Sequence, residues 1–116
     1  TGVNIQPSTC LELSKIPNIV AIKEASSNLD QIAEIASLCR ENLHIYSGND
    51  SQILPILSVG GIGVISVLAN VYPKYTHDMI ENYFNGNLKV IGGIFMMNTK
   101  SFANKTERGI ICFICI

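Results

Sequence analysis

The chain has 116 residues, 47% hydrophobic and 15% charged, with a net charge of −1. The charged share is below the quarter or so of ordinary soluble domains, which excludes a charge-solvated disordered chain. The balanced charge leaves no basic footprint for nucleic acid or an anionic membrane, and the length allows one small domain at most.

Pro7 to Ile16 predicts a helix leading into the first strand. Asn18 to Ala25 opens with the continuous run Ile19-Val20-Ala21-Ile22, the pattern of a strand buried on both faces. Leu29 to Glu41 carries Ile32, Ile35, Ala36 and Cys39 at helical spacing, with Asn28 as its N-cap. A second strand is expected over His44 to Ser47. Gly48, Asn49 and Asp50 then turn the chain into a helix over Ser51 to Ser58, with Asn49 or Asp50 as the capping side chain. Gly60, Gly61 and Gly63 punctuate the chain before a third strand, Gly63 to Val67. Pro73 suits the first turn of a last helix, carried by Tyr75, Met79, Ile80 and Tyr83 and ended by Gly86.

Strands alternating with helices through short connections predict an α/β fold with parallel strands. An open doubly wound sheet and a (β/α)₈ barrel share this arithmetic, and both place ligands at the carboxyl ends of their strands. A complete barrel needs about 250 residues, so this chain supplies less than half of one. Ser51 to Pro73 holds no charge and is long enough to span a bilayer, but Pro55 and the glycine cluster argue against a membrane helix. Through Gly86 there are four basic and eight acidic residues, whereas from Asn87 onward four basic residues face one acidic residue. The apolar residues of this last segment follow no sustained period.

Lys23 is the most informative residue. Side chains alternate along a strand, so Lys23 shares a face with Ile19 and Ala21, while Glu24 points the other way with Ile22. A lysine at the carboxyl end of a barrel strand stands where catalytic residues of that architecture stand. Apolar walls there would favour the neutral amine, the form that attacks a carbonyl carbon to give a Schiff base. The plainer reading is a lysine whose stem covers apolar surface and whose ammonium group reaches water.

Ser47-Gly48-Asn49-Asp50 reads either as a pocket wall, because glycine permits close backbone approach, or simply as a strand-to-helix turn. Gly60 to Gly63 precedes a strand, whereas phosphate-binding glycines follow one and open a helix. His44 and His77 are isolated and read as surface residues. Asp78 and Glu81 read as a solvated helix face, and Tyr72 and Tyr75 as packing. Cys112 and Cys115 form a C-x-x-C with bulky intervening residues and no further zinc ligands nearby, so neither a metal nor a disulfide framework is assigned. Asn104-Lys105-Thr106 matches a glycosylation acceptor, but no secretory leader opens the chain.

Three stretches carry a resemblance: Ile19-Val-Ala-Ile-Lys-Glu-Ala-Ser-Ser-Asn28; Tyr46-Ser-Gly-Asn-Asp50; and Gly60-Gly-Ile-Gly-Val-Ile-Ser-Val67 with Ala69-Asn70. In order and separation they resemble the dihydrodipicolinate synthase (4-hydroxy-tetrahydrodipicolinate synthase) family of pyruvate-dependent Schiff-base lyases and aldolases. Thr1-Gly2 is similar to the end of that family's Arg-Thr-Gly segment. The resemblance covers residues 1–88 and leaves 89–116 as a divergent, unassigned tail. An interrupted reading frame after Leu88 would account for the change.

The resemblance implies a partial (β/α)₈ TIM barrel of about three βα units, corresponding to strands six to eight. It implies that Lys23 forms the Schiff base with pyruvate, that the backbone carbonyl of Ile65 faces the pyruvyl group, and that Gly48 lines the same pocket. The implied reaction condenses pyruvate with aspartate semialdehyde in cytoplasmic lysine and diaminopimelate biosynthesis. It needs no metal or organic cofactor, and the family is typically a homotetramer. The family's catalytic tyrosine, threonine pair and carboxylate-binding arginine belong upstream of Thr1, so this chain is expected to be inactive alone. The alternatives are a non-catalytic remnant or α/β binding fragment and, within the family, an N-acetylneuraminate lyase or keto-deoxy-sugar aldolase.

Overall fold

The computed structural model describes residues 2–87. Along them run α1 (Pro7–Leu13), β1 (Ala21–Glu24), α2 (Leu29–Cys39), β2 (His44–Ser47), α3 (Ile53–Ser58), β3 (Gly63–Val64) and α4 (Pro73–Phe84). Short 3₁₀ turns lie at Arg40–Asn42, Asp50–Gln52 and Leu68–Asn70. The strands form one parallel sheet in the order β1-β2-β3, with Lys23 beside Tyr46 and Tyr46 beside Gly63. Parallel neighbours need a crossover between them, which α2 and α3 provide. Gly63 lets the Tyr46 ring pack close, since a Cβ there would lie 2.9 Å from the ring and would force it to move.

The chain divides into two compact units, the first ending at Val64 and the second beginning at Ile65. The core of the first joins Cys10 of α1, Ile32, Ile35 and Cys39 of α2, Leu43 and Ile45 at β2, and Ile56 of α3. Ile32, Ile35 and Cys39 are positions that the helical period selected, and Ala36 packs partly buried against them. Asn28 caps α2 as expected, its side-chain oxygen accepting from the Gln31 N–H at 3.2 Å. Cys10 and Cys39 are buried free thiols. Burial pushes both above the ordinary thiol range, and the neighbouring Cys39 and Glu24 add to the rise at Cys10.

In the second unit, the buried Ser66 hydroxyl accepts from the Ala69 N–H at 2.9 Å and sets the turn that follows. Helix α4 buries Thr76, Met79 and Ile80; of its expected apolar stripe, Met79 and Ile80 are buried, Tyr83 is half-buried and Tyr75 is exposed. It ends as glycine-terminated helices do, with Gly86 at φ +75° and the Asn87 N–H reaching back to the Asn82 carbonyl at 2.8 Å. Tyr72 and Tyr75 pack edge to face at 6.0 Å, and Asp78 pairs with Lys74 at 2.8 Å.

Several expectations need correction. Helix α1 stops at Leu13 rather than Ile16, because i→i−3 bonds at Lys15 and Ile16 tighten the chain ahead of Pro17. Helix α2 stops at Cys39 rather than Glu41, because Arg40 turns to φ +47°. The third strand is Gly63–Val64 rather than Gly63–Val67. The first strand is not buried on both faces: Val20 is 60% exposed, Ala21 and Lys23 are exposed, and only Glu24 is buried. Strand β1 is an edge strand with one neighbour, β2, and its Ala21 and Lys23 side is exposed among the described residues. The uncharged run from Ser51 to Pro73 is divided among a helix, a strand and turns, and no helix among the described residues is long and apolar enough to cross a membrane. Cys112, Cys115 and the Asn104 motif lie outside the described residues.

Candidate functional site

The parallel sheet brings the carboxyl ends of β1 and β2 side by side. Glu24 and Ser47 are register partners there, and the Gly48 N–H donates to the Glu24 carbonyl at 2.6 Å, extending the ladder one residue past the strand. Lys23 and Gly48 therefore meet. A Cβ on Gly48 would lie 2.8 Å from the Lys23 Cε, 2.8 Å from the Ala25 Cβ and 3.1 Å from the Glu24 carbonyl oxygen. Glycine is needed at this position for close approach alone, since its φ is not positive.

Lys23 borders an open cavity of about 720 Å³. One side of the cavity is the segment Gly2 to Ile5, and the other is formed by Ile22 to Ser26 and Asn28. The N-terminal segment is held against α2 by a reciprocal amide pair, Asn4 with Gln31, at 2.7 and 3.0 Å. At the strand end the buried Glu24 carboxylate accepts from the Ser26 hydroxyl at 2.7 Å, and that hydroxyl accepts from the Asn28 N–H at 3.3 Å. The cavity thus offers an amine, a carboxylate, a hydroxyl and amides over a partly apolar wall, a set suited to a small polar carbonyl compound. The enclosing apolar walls expected around Lys23 are not supplied by the described residues: Lys23 is exposed at the rim. Among the described residues no cluster of three or more His, Cys, Asp or Glu could hold a metal ion.

Of the residues singled out in the sequence, Lys23 and Gly48 come together, although Gly48 lies under the lysine stem rather than on the cavity lining. Ile65 is half-buried and directly follows β3, as the first residue of the second unit. Asn49 and Asp50 do not cap α3, whose N-terminus has no side-chain cap. The Asn49 amide instead donates to the Ser27 hydroxyl at 2.7 Å, and the Gln52 amide to the Ser27 carbonyl at 3.1 Å. Ser27 itself has φ +63°. The density of Ser and Asn in both loops is the only sequence signal for this cross-tie, and it reads equally as two independent turns.

Residues 1–99 match the model of the Dihydrodipicolinate synthetase family, so the match passes the point near Leu88 where the composition changes. The chain is 63% identical over 89 residues to the 4-hydroxy-tetrahydrodipicolinate synthase of Caldicellulosiruptor bescii, covering 77% of this chain and 30% of that protein. The Clostridium tetani 4-hydroxy-tetrahydrodipicolinate synthase is 53% identical over 105 residues, covering 90% of this chain and 35% of that one. The chain therefore spans about a third of the length of the relatives it matches. Among solved structures, the Cyanidioschyzon merolae dihydrodipicolinate synthase with lysine bound superposes with a TM-score of 0.85 at 36% identity. That alignment covers 94% of this chain and 37% of the other.

Proposed function

The chain belongs to the dihydrodipicolinate synthetase family, and from that premise we propose that Lys23 is the amine that captures pyruvate as a Schiff base. The observation that carries this is the place of Lys23 at the carboxyl end of β1, bordering the cavity with its stem over Gly48. In this reading the three strands correspond to the sixth, seventh and eighth of a (β/α)₈ barrel. The Ile65 carbonyl faces the pyruvyl group, and Gly48 leaves room for the lysine to swing.

The neutral Nζ adds to the keto carbon of pyruvate, and loss of water gives the imine. Protonated, the imine withdraws electrons from the adjacent methyl carbon. Removal of a methyl proton then gives an enamine, which attacks the aldehyde carbon of aspartate semialdehyde. Hydrolysis releases the adduct and restores the lysine. The imine is the electron sink, so this chemistry calls on no metal or organic cofactor. Proton transfer to and from the imine is worth about 10²–10⁴-fold and needs positioned acids and bases. The family's tyrosine and threonines that supply it match no position of this chain, so capture is expected to be weak and condensation undetectable with this chain alone. The setting of the reaction is lysine and diaminopimelate biosynthesis in the cytoplasm, in an enzyme that assembles as a homotetramer.

The exposure of Lys23 favours one rival, a binding fragment that keeps the lysine without its chemistry. Pyruvate with borohydride, followed by mass mapping, separates the two. The expected result is a low-yield reduced adduct on Lys23 that disappears in Lys23→Ala. An adduct confined to other lysines, or one that persists in Lys23→Ala, overturns the proposed function.

A further inference from the structure

We propose that Asn49 is a positioning residue for Lys23, acting through Ser27. This deepens the Schiff-base reading and rests on it. Ser27 is a non-glycine residue at φ +63°, a backbone region that L-residues avoid unless their surroundings impose it. Two side chains from the neighbouring loop impose it here. The Asn49 Nδ2 donates to the Ser27 Oγ at 2.7 Å, and the Gln52 Nε2 donates to the Ser27 carbonyl at 3.1 Å.

Asn49 is itself held in place. The buried Ser47 hydroxyl donates to the Asn49 carbonyl at 2.8 Å and accepts from the Asn49 N–H at 3.3 Å. One residue earlier, the Gly48 N–H bonds the Glu24 carbonyl. The two loops are thus joined at Glu24–Gly48 and again at Ser27–Asn49. Between those ties lies Ala25, whose Cβ, with the Lys23 Cε, closes over Gly48. Releasing the outer tie lets Ser27 relax to negative φ, and the turn from Ala25 to Asn28 then moves off Gly48. The lysine stem resting on that glycine loses its fixed direction. Asn49 touches no reacting atom in this scheme; it sets where the amine points.

The test is competitive labelling of lysines in the full chain with trace acetic anhydride, mapped by mass spectrometry across pH. Asn49→Ala is expected to change the Lys23 labelling rate about fivefold, the equivalent of one hydrogen bond, and to shift its pH profile. Lys15 and Lys74, paired with Glu12 and Asp78 on other elements, serve as references and should not move. Asn49→Asp should return the Lys23 labelling rate towards that of the parent chain at high pH, where the amine is neutral, because a carboxylate accepts from the Ser27 hydroxyl in place of the donated amide bond. A Lys23 profile unchanged in Asn49→Ala overturns the proposal. So does a uniform change at all three lysines with loss of helical circular dichroism, which marks Asn49 as merely structural. The labelling needs no pyruvate, so failure of pyruvate capture at Lys23 counts against the Schiff-base reading and leaves this outcome separate.

Discussion

Strands β1 and β2 are each four residues long, pair in register and expose His44 beside Ala21, yet β2 is the more deeply buried of the two. In β2, Ile45 is 2% exposed and Ser47 is fully buried, because a strand lies on either edge and α2 and α3 contribute to the core around Ile45. In β1 only Glu24 is buried, while Ala21 and Lys23 face outward. Composition alone predicts the reverse, since the run Ile19 to Ile22 is the more apolar and more β-branched of the two. What decides burial is the cover a strand finds on its edges and faces, which no single strand encodes. The difference has a chemical side. The polar group at the end of β2 is locked into backbone hydrogen bonds, whereas the amine near the end of β1 stands at an open cavity.

The largest test of this contrast is Ile45→Ala. Emptying a fully enclosed site should cost about 2–5 kcal/mol, enough to abolish the cooperative transition of a marginal domain. Urea titration followed by circular dichroism reads it. A loss below about 1 kcal/mol would mean that the β2 core collapses around the gap, and the contrast with β1 would shrink accordingly.

Next in size is Gly48→Ala, where the two strand ends meet. The added Cβ would fall 2.8 Å from the Ala25 Cβ and 3.1 Å from the Glu24 carbonyl, neither of which can swing aside as the lysine stem can. Overpacking of this kind should cost about 1–3 kcal/mol, and Ala25→Gly in the same chain should recover a measurable part of it. If the double variant is no more stable than Gly48→Ala, the clash lies with the lysine or the backbone instead.

The core face of α2 was legible because its apolar positions repeat at about 3.6 residues over three turns. Ile32, Ile35 and Cys39 are buried as that period requires, and Asn28 caps the helix that they stabilise. Strand β2 was legible to the residue. Its flanking turn was legible only as a turn. Asn49 has the right chemistry for a cap, but the short 3₁₀ turn at Asp50–Gln52 leaves its side chain directed at Ser27, across 22 residues of sequence. Such a pairing exists only once β1 and β2 lie in register. Lys23 was legible by alternation, whereas its exposure depends on cover that its own strand cannot specify.

A smaller effect tests that helix start. Asn28→Ala removes the oxygen that accepts from the Gln31 N–H, and cap losses of this kind cost about 1 kcal/mol. Asn28→Ser should restore most of it, because a serine hydroxyl caps the same N–H. The thermal midpoints of the three chains should therefore rank Asn, Ser, Ala. Serine falling as low as alanine would instead assign the loss to Asn28's place on the cavity wall.

The smallest expected effect bears most directly on the comparison of the two strands. Val20, just ahead of β1, is 60% exposed, so Val20→Thr keeps the β-branched shape and exchanges a methyl for a hydroxyl that water can reach. A change at such a position should stay within about 0.5 kcal/mol, against several for Ile45→Ala. The measurement is the same urea titration, run at two protein concentrations a decade apart. A null result at both leaves Val20 solvated, as its exposure states. A loss well above that bound that grows with concentration would mean that Val20 is covered by another copy of the chain. The same loss independent of concentration would mean that the chain covers it with its own residues. In either of those cases the side of the chain that Val20 shares with Ile22 and Glu24 would carry cover ahead of β1, while Lys23, on the opposite side by alternation, would keep its exposed setting.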